Sequence, residues 1–306
     1  MLKKIIIAEH HGFCMGVKRA IKIADETSQA NNGKVTILNE IVHNEAVVDQ
    51  FKKQGVGQSF SVEDVKKGTL IISAHGIAPD VIEEAKKKGL DVVDATCPLV
   101  TRIYDIITKA VGNGFHIVHY GNPHHDETKG IVGHAKEHIT VASNIEELQN
   151  LPNWTDKKLG LTVQTTAHID EFTDVERIAL KKWPHLQVFN TICNATTQRQ
   201  SAILSLAPKV DMVLVVGSET SANSRRLANI SDAICGNGKL IGTAEDINPD
   251  WFASDKNIES VGLSAGASTP DFLVEEVIQN LIKLSGNQAE VIYTTKKKKR
   301  LKANKS

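Results

Sequence analysis

The stretch Asp94-Ala95-Thr96-Cys97-Pro98-Leu99-Val100-Thr101 decides how this chain is read. A short apolar run, Leu90-Asp91-Val92-Val93, delivers a cysteine to the mouth of a turn. Pro98 then opens a helical pattern, where its missing N–H costs nothing. Two more cysteines have comparable strand-to-helix settings: Cys14 in Gly12-Phe13-Cys14-Met15-Gly16-Val17, and Cys193 in Thr191-Ile192-Cys193-Asn194-Ala195-Thr196-Thr197. The separations, 83 and 96 residues, each amount to about one α/β domain of chain. Three thiols at three such turns predict one shared site at a three-domain junction. Cys235, in Ala233-Ile234-Cys235-Gly236-Asn237, sits at a helix end without polar company and reads as a small buried hydrophobe.

Outward from these turns, strand and helix patterns alternate almost without interruption, which predicts parallel sheets with covering helices. Strands are expected at 3–8, 35–38, 69–73, 92–96, 115–120, 139–142, 159–163, 212–216, 239–243 and 260–263. Helices are expected at 17–30, 44–54, after Pro79, and at 99–112, 145–150, 169–182, 196–207, 222–231 and 271–284. The expected α/β domains are 1–96, 97–192 and 193–285, followed by a C-terminal strand and basic tail at 286–306. The thirds share no visible residue similarity. What repeats is the strand followed by a cysteine.

At 306 residues, with 41% hydrophobic, the chain has room for two or three domains. No apolar run approaches the roughly 20 residues of a membrane span. The run from Met1 to Ala8 is too short for a signal-peptide core and reads as a buried strand. Four cysteines without a CxxC pair argue against a secreted disulfide scaffold and for a reducing cytoplasm. Net charge is zero, but the last eleven residues hold seven Lys or Arg and no acid, so the body before them carries 29 basic and 36 acidic residues. That tail reads as a solvated end, and nucleic acid is not an expected partner.

Polar stretches fall where the strands end, the usual place for sites in parallel α/β sheets. They are Val42-His43-Asn44, Ser73-Ala74-His75-Gly76, Gly121 to Thr128, Gln164-Thr165-Thr166, Gly217 to Ser224 and Ala265 to Pro270. Neutral His, Ser, Thr and Asn beside helix N-termini suit phosphate oxygens. No P-loop is present and no G-x-G-x-x-G follows a strand, so ATP and dinucleotides are disfavoured. Taken singly, His43 and His75 read more readily as structural histidines than as ligand-binding ones. Ser221, Asn223 and Ser268 read equally well as helix caps, and the three cysteines as buried hydrophobes.

Together these stretches resemble the IspH/LytB family of 4-hydroxy-3-methylbut-2-enyl diphosphate reductases. Gly12 to Ile21 matches G-F-C-x-G-V-x-R-A-I, Val42–Asn44 matches V-H-N, and Ser73–Gly76 matches S-A-H-G. Asp94–Thr101 matches D-A-T-C-P-L-V-T, Gln164–Thr166 matches Q-T-T, and Ile192–Gln200 matches I-C-x-A-T-T-x-R-Q. Asn223–Leu227 matches N-S-x-R-L and Ala265–Asp271 matches A-G-A-S-x-P-D. The matches keep family order from residue 3 to about 294.

The resemblance implies three parallel-sheet α/β domains in a pseudo-threefold trefoil around a central iron–sulfur cluster. Cys14, Cys97 and Cys193 would ligate three irons of a [4Fe–4S] cluster whose fourth iron has no cysteine and is open to substrate. It further implies reductive removal of the allylic hydroxyl, giving isopentenyl and dimethylallyl diphosphates, the last step of the non-mevalonate isoprenoid pathway. Electrons would come from a ferredoxin or flavodoxin. His43, His75, Thr165, Ser221, Asn223 and Ser268 would hold the diphosphate or line the pocket, with Thr165 also counted among the catalytic residues.

The middle motif departs from the family. Against G-H-P-E-V-E-G-T-x-G the chain has Gly121-Asn122-Pro123-His124-His125-Asp126-Glu127-Thr128-Lys129-Gly130. Matching Pro123 and the Thr128/Gly130 pair puts Asn122 at the diphosphate-binding histidine and His124 at the proton-relaying glutamate. Ala222 stands where a diphosphate-binding serine is usual, and His10-His11 where Pro-Arg is. On this register His124 or His125 would relay the proton. The alternatives are a divergent paralogue reducing another phosphorylated or oxygenated substrate, and a non-catalytic iron–sulfur redox sensor.

Overall fold

The computed structural model describes residues 2–31 and 34–294, so the Lys-rich tail lies outside the described residues. In chain order the strands are β1 (Lys4–Ile7), β2 (Val35–Leu38), β3 (Gly57–Ser59), β4 (Thr69–Ile72), β5 (Asp91–Asp94), β6 (Phe115–Tyr120), β7 (Ile139–Ala142), β8 (Lys158–Val163), β9 (Gln187–Val188), β10 (Met212–Val216), β11 (Gly238–Ile241), β12 (Ser260–Ala265) and β13 (Glu290–Tyr293). The α-helices are α1 (Met15–Ala30), α2 (Glu45–Lys53), α3 (Pro79–Lys87), α4 (Pro98–Gly112), α5 (Asp126–Ala135), α6 (Ile145–Asn150), α7 (Ile169–Lys182), α8 (Asn194–Leu206), α9 (Ala222–Cys235) and α10 (Asp271–Leu284).

The chain divides into two compact units, Phe13–Thr197 and the residues up to Gly12 together with those from Gln198 onward. The first unit carries two four-stranded sheets, ordered β3-β2-β4-β5 and β7-β6-β8-β9, and the second a five-stranded sheet, β11-β10-β12-β1-β13. Every pairing is parallel. This is the α/β architecture that the alternating pattern predicts. All three sheets follow one order, with the second strand outermost, then the first, third and fourth. In the five-stranded sheet, β1 is inserted between the third and fourth.

That insertion corrects the expected domain bounds. The sequence places residues 3–8 in the domain expected at 1–96. β1 instead lies between β12 and β13, in register from Lys4↔Ser260 to Ile7↔Leu263 and from Lys4↔Glu290 to Ile7↔Tyr293. Ile5 and Ile7 are buried and Ile6 is half-buried on the other face, so β1 is a strand covered on both sides. Such a strand goes to a sheet with a slot for it, whichever helix follows in sequence. β13 and the segment before it therefore belong to this sheet rather than to a separate tail.

Each sheet is apolar where helices cover it. β10 reads MVLVV and all five side chains are buried. Ile37 and Ile71 pack with Ala20 and Ala24 of α1 and with Val47 and Phe51 of α2. Leu159 and Leu161 pack with Leu148, Phe172 and Val175. Burying each such side chain is worth roughly 1.5–3 kcal/mol. Among the described residues, no helix is long and apolar enough to cross a membrane. One helix, α5, was not anticipated, because the polar run 121–128 reads as a loop.

Candidate functional site

Three helices begin at cysteines. Cys14 is the N-cap of α1, with Val17 N–H directed at its Sγ at 3.5 Å. Cys97 caps α4, with Pro98 at the first helical position. Cys193 immediately precedes α8, and its Sγ accepts from Thr196 N–H at 3.3 Å and lies 3.1 Å from Thr196 Oγ1. Two of these turns are tied to polar turns next to them. Cys97 N–H donates to Ala74 O at 3.0 Å, and Cys193 N–H donates to Thr165 O at 3.1 Å.

All three thiols lie in the Phe13–Thr197 unit and none forms a disulfide. Their sulfurs converge. A Cβ on Gly16 would sit 2.4 Å from Cys97 Sγ and 4.0 Å from Cys14 Sγ, so only glycine leaves those sulfurs their room. Burial pushes the Cys97 and Cys193 thiols up, and Cys14 acts in the same direction on both. Burial therefore disfavours the bare thiolates, and a bound cation is the partner that would offset it. Three inward-facing soft donors around a space kept clear by a glycine fit an iron–sulfur group. Cys235 is apart from this. It ends α9 in the other unit, with its S–H donating to Ser231 O at 3.1 Å.

Three imidazoles gather in the same unit. His43 stacks on His75 with centroids 4.0 Å apart, and His125 meets both edge-on at 5.2 and 5.7 Å. His43 Nδ1 lies 2.9 Å from Glu40 Oε2. A carboxylate only accepts, so that nitrogen carries the proton. His75 is held well below the usual imidazole range by burial, with His43 and His125 adding to the effect. His125 caps α5, its Nδ1 accepting Glu127 N–H at 3.2 Å.

That cap turns Glu127 inward. Glu127 is buried, and its carboxylate accepts from Thr165 N–H at 2.7 Å and from Thr165 Oγ1 at 2.5 Å. Burial pushes its pKa up, while the Thr165 bonds and His43 hold it back. A buried acid bonded to a hydroxyl, close enough to Cys193 to perturb its thiol, has the chemistry of a proton donor near that sulfur.

The structure separates the candidates of the middle motif. Asn122 and His124 are both exposed. Asn122 shapes the turn: its N–H donates to Gln164 Oε1 at 3.0 Å and its Oδ1 accepts His124 N–H at 2.9 Å. Neither side chain joins the imidazole group; His125 does. Glu127 was missed altogether. The signal lay in the spacing, since His125-Asp126-Glu127 repeats the His-x-Glu of the G-H-P-E motif three residues further on.

In the other unit, Ser221 caps α9 by accepting Ser224 N–H at 3.3 Å. Asn223 is buried, and neither its Oδ1 nor its Nδ2 has a hydrogen-bond partner. An unmet buried amide costs about 1–3 kcal/mol, which a ligand that bonds it returns. Ser268 is buried in the turn before α10.

Comparison with known proteins adds the following. The family model described as LytB protein matches residues 5–282. The 4-hydroxy-3-methylbut-2-enyl diphosphate reductase of Aquifex aeolicus is 40% identical over 276 residues, covering 89% of this chain and 94% of the relative. The solved structure of E-1-hydroxy-2-methyl-but-2-enyl-4-diphosphate reductase from Plasmodium falciparum superposes with a TM-score of 0.91 at 29% identity, covering 97% of this chain and 94% of that one. A second solved structure, described as (E)-4-hydroxy-3-methyl-but-2-enyl diphosphate reductase, the terminal enzyme of the non-mevalonate pathway, has a TM-score of 0.65 at 38% identity and covers 92% and 100%.

Proposed function

The chain belongs to the LytB family, and from that membership we propose that it is a 4-hydroxy-3-methylbut-2-enyl diphosphate reductase. The overall change takes in two electrons and two protons, breaks the allylic C–O bond, and releases water with isopentenyl or dimethylallyl diphosphate. The observation that carries the reading is the buried Glu127–Thr165 pair next to three converging thiols.

Cys14, Cys97 and Cys193 would hold the cluster, with one iron left without a cysteine. When bound, a [4Fe–4S] group supplies electrons and a Lewis-acidic iron for the substrate oxygen. The chain's own residues do the rest. Thr165 positions the Glu127 carboxyl through two hydrogen bonds. Glu127, whose pKa burial raises, would be the acid that delivers a proton toward the departing hydroxyl. His43, His75 and His125 would line the diphosphate pocket, with His75 and His125 able to present ring N–H groups to its oxygens, while the Nδ1 proton of His43 goes to Glu40. Ser221, Asn223 and Ser268 carry the same role by resemblance, and the unmet amide of Asn223 suits phosphate oxygens. A ferredoxin or flavodoxin in a reducing cytoplasm would deliver the electrons.

The divergent-substrate reading rests on Asn122 and His124; both are exposed, and the rings of His43 and His75 beside His125 with Glu127 on Thr165 favour the reductase reading. The test is anaerobic: reconstitute the cluster, add the diphosphate substrate and a one-electron donor, and identify the products. Isopentenyl and dimethylallyl diphosphates support the reading. An intact cluster with no turnover sinks it.

A further inference from the structure

The first turn of α5 brings an acid to the imidazole group. His43, His75 and Asp126 each offer one ligand atom, and these atoms all lie within 4.8 Å of one another. We propose that this trio binds a zinc-class divalent cation, which occupies the place of the diphosphate and competes with it. The inference rests on the reading above in one respect, that His43 and His75 face the diphosphate.

Two imidazoles and one carboxylate form a borderline donor set. It suits Zn²⁺, Fe²⁺ or Co²⁺, whereas Mg²⁺ and Ca²⁺ prefer oxygen ligands throughout. With bonds of about 2.0–2.1 Å at tetrahedral angles, ligand atoms stand roughly 3.3 Å apart. The trio therefore closes by an ångström or so. Asp126 is the member free to do that, since its partner is a solvent-facing Lys129 ammonium 3.6 Å away.

Two further features point to a cation. Glu40 accepts the Nδ1 proton of His43, the carboxylate–histidine pairing that leaves the other nitrogen as a lone-pair donor. His75 Nδ1 is buried without a hydrogen-bond partner. The two rings stack at 4.0 Å, which brings one nitrogen of each within reach of a common ion.

Competition follows from the nitrogens themselves. An imidazole nitrogen bonded to a metal has no proton to give a phosphate oxygen. Three protein ligands leave a fourth position for water. On the His-x-Glu register, Asp126 falls where the family motif has proline, so the trio is a feature of this chain's own sequence.

The test uses the cluster-loaded protein, whose thiols are occupied, without oxygen and at buffered free Zn²⁺. Calorimetry should show one bound Zn²⁺ per chain and none for Mg²⁺. Asp126→Asn should weaken Zn²⁺ binding roughly tenfold or more, with turnover in the absence of zinc unchanged. In steady-state assays Zn²⁺ should raise KM and leave kcat alone. A Cys14→Ser/Cys97→Ser/Cys193→Ser variant with a native circular dichroism spectrum should give a visible Co²⁺ absorption band that Asp126→Asn abolishes. No cation binding, binding unaffected by Asp126→Asn, or inhibition that lowers kcat alone overturns the proposal. Binding that depends on Asp126 in a protein without reductase activity would uphold the cation site and refute the reductase reading.

Discussion

Glu127→Gln tests the proton source directly. The substitution keeps the size and one acceptor oxygen, so the Thr165 N–H, now 2.7 Å from Glu127 Oε1, still has its partner. The Thr165 hydroxyl loses a charged acceptor, a cost to folding of about 1.5–3 kcal/mol at most. What disappears outright is the acid. A positioned acid contributes about 10²–10⁴-fold, which is roughly 2.7–5.4 kcal/mol of barrier at ~1.36 kcal/mol per decade. The expected outcome in an anaerobic assay of the reconstituted enzyme is therefore kcat down by two to four orders of magnitude. KM should change little, because phosphate recognition is assigned to the imidazoles. The matched control is His124→Gln, which removes an exposed ring that takes no part in the imidazole group and should leave kcat intact. If Glu127→Gln retains wild-type kcat while His124→Gln loses it, the assignment made from the fold is wrong.

Three other outcomes are expected. Cys14→Ser, Cys97→Ser and Cys193→Ser should each abolish the brown cluster absorbance, while Cys235→Ser, bonded within α9, keeps it. Gly76→Ala should destabilise by about 2–4 kcal/mol and lower Tm measurably. Gly76 has φ +73°, and an added Cβ would sit 2.3 Å from the Tyr104 hydroxyl, which donates to His75 O at 3.3 Å. An unchanged Tm would refute that. His119, buried in β6 with Nδ1 3.0 Å from Thr162 Oγ1, has its pKa pulled down by burial to about 3. The unfolded chain takes up this proton near pH 6.5 and the native state does not, so stability is full above ~6.5 and falls toward pH 3. The slope from this group approaches ~1.36 kcal/mol per pH unit. Denaturant unfolding of His119→Gln should lose that part of the acid sensitivity, and an unchanged slope would refute the account.

What the sequence made legible, and what it hid, divides along physical lines. The three cysteines, His43, His75 and Thr165 sit in short contiguous motifs at strand ends, where local pattern and position coincide. Glu127 was hidden because its run is polar and holds Pro123, which reads as a loop. The helix starts only at Asp126, and which residue of that first turn faces inward depends on His125 acting as a cap. Pinning the motif on Pro123 draws attention to Asn122 and His124, three residues before His125 and Glu127. β1 was misassigned for a different reason. Its four residues identify a covered strand, but nothing local in Lys4–Ile7 names the two neighbours that cover it.

The placing of β1 also governs when the five-stranded sheet can form. Lys4 pairs with Ser260 and with Glu290, so β1 is synthesised some 250 residues before either neighbour exists. At about 5–20 residues per second, that is a wait of roughly 12–50 s on the ribosome. Meanwhile the Phe13–Thr197 unit, whose strands pair only among themselves, can complete its two sheets. For that interval an apolar Ile5-Ile6-Ile7 strand stands ready without its edges covered, which is the condition under which strands find wrong partners. A circular permutant that moves residues 1–12 to follow β13 would bring β1 into being last, with both neighbours already made. Such a chain should yield more soluble protein from rapid expression, with the same sheet at the end.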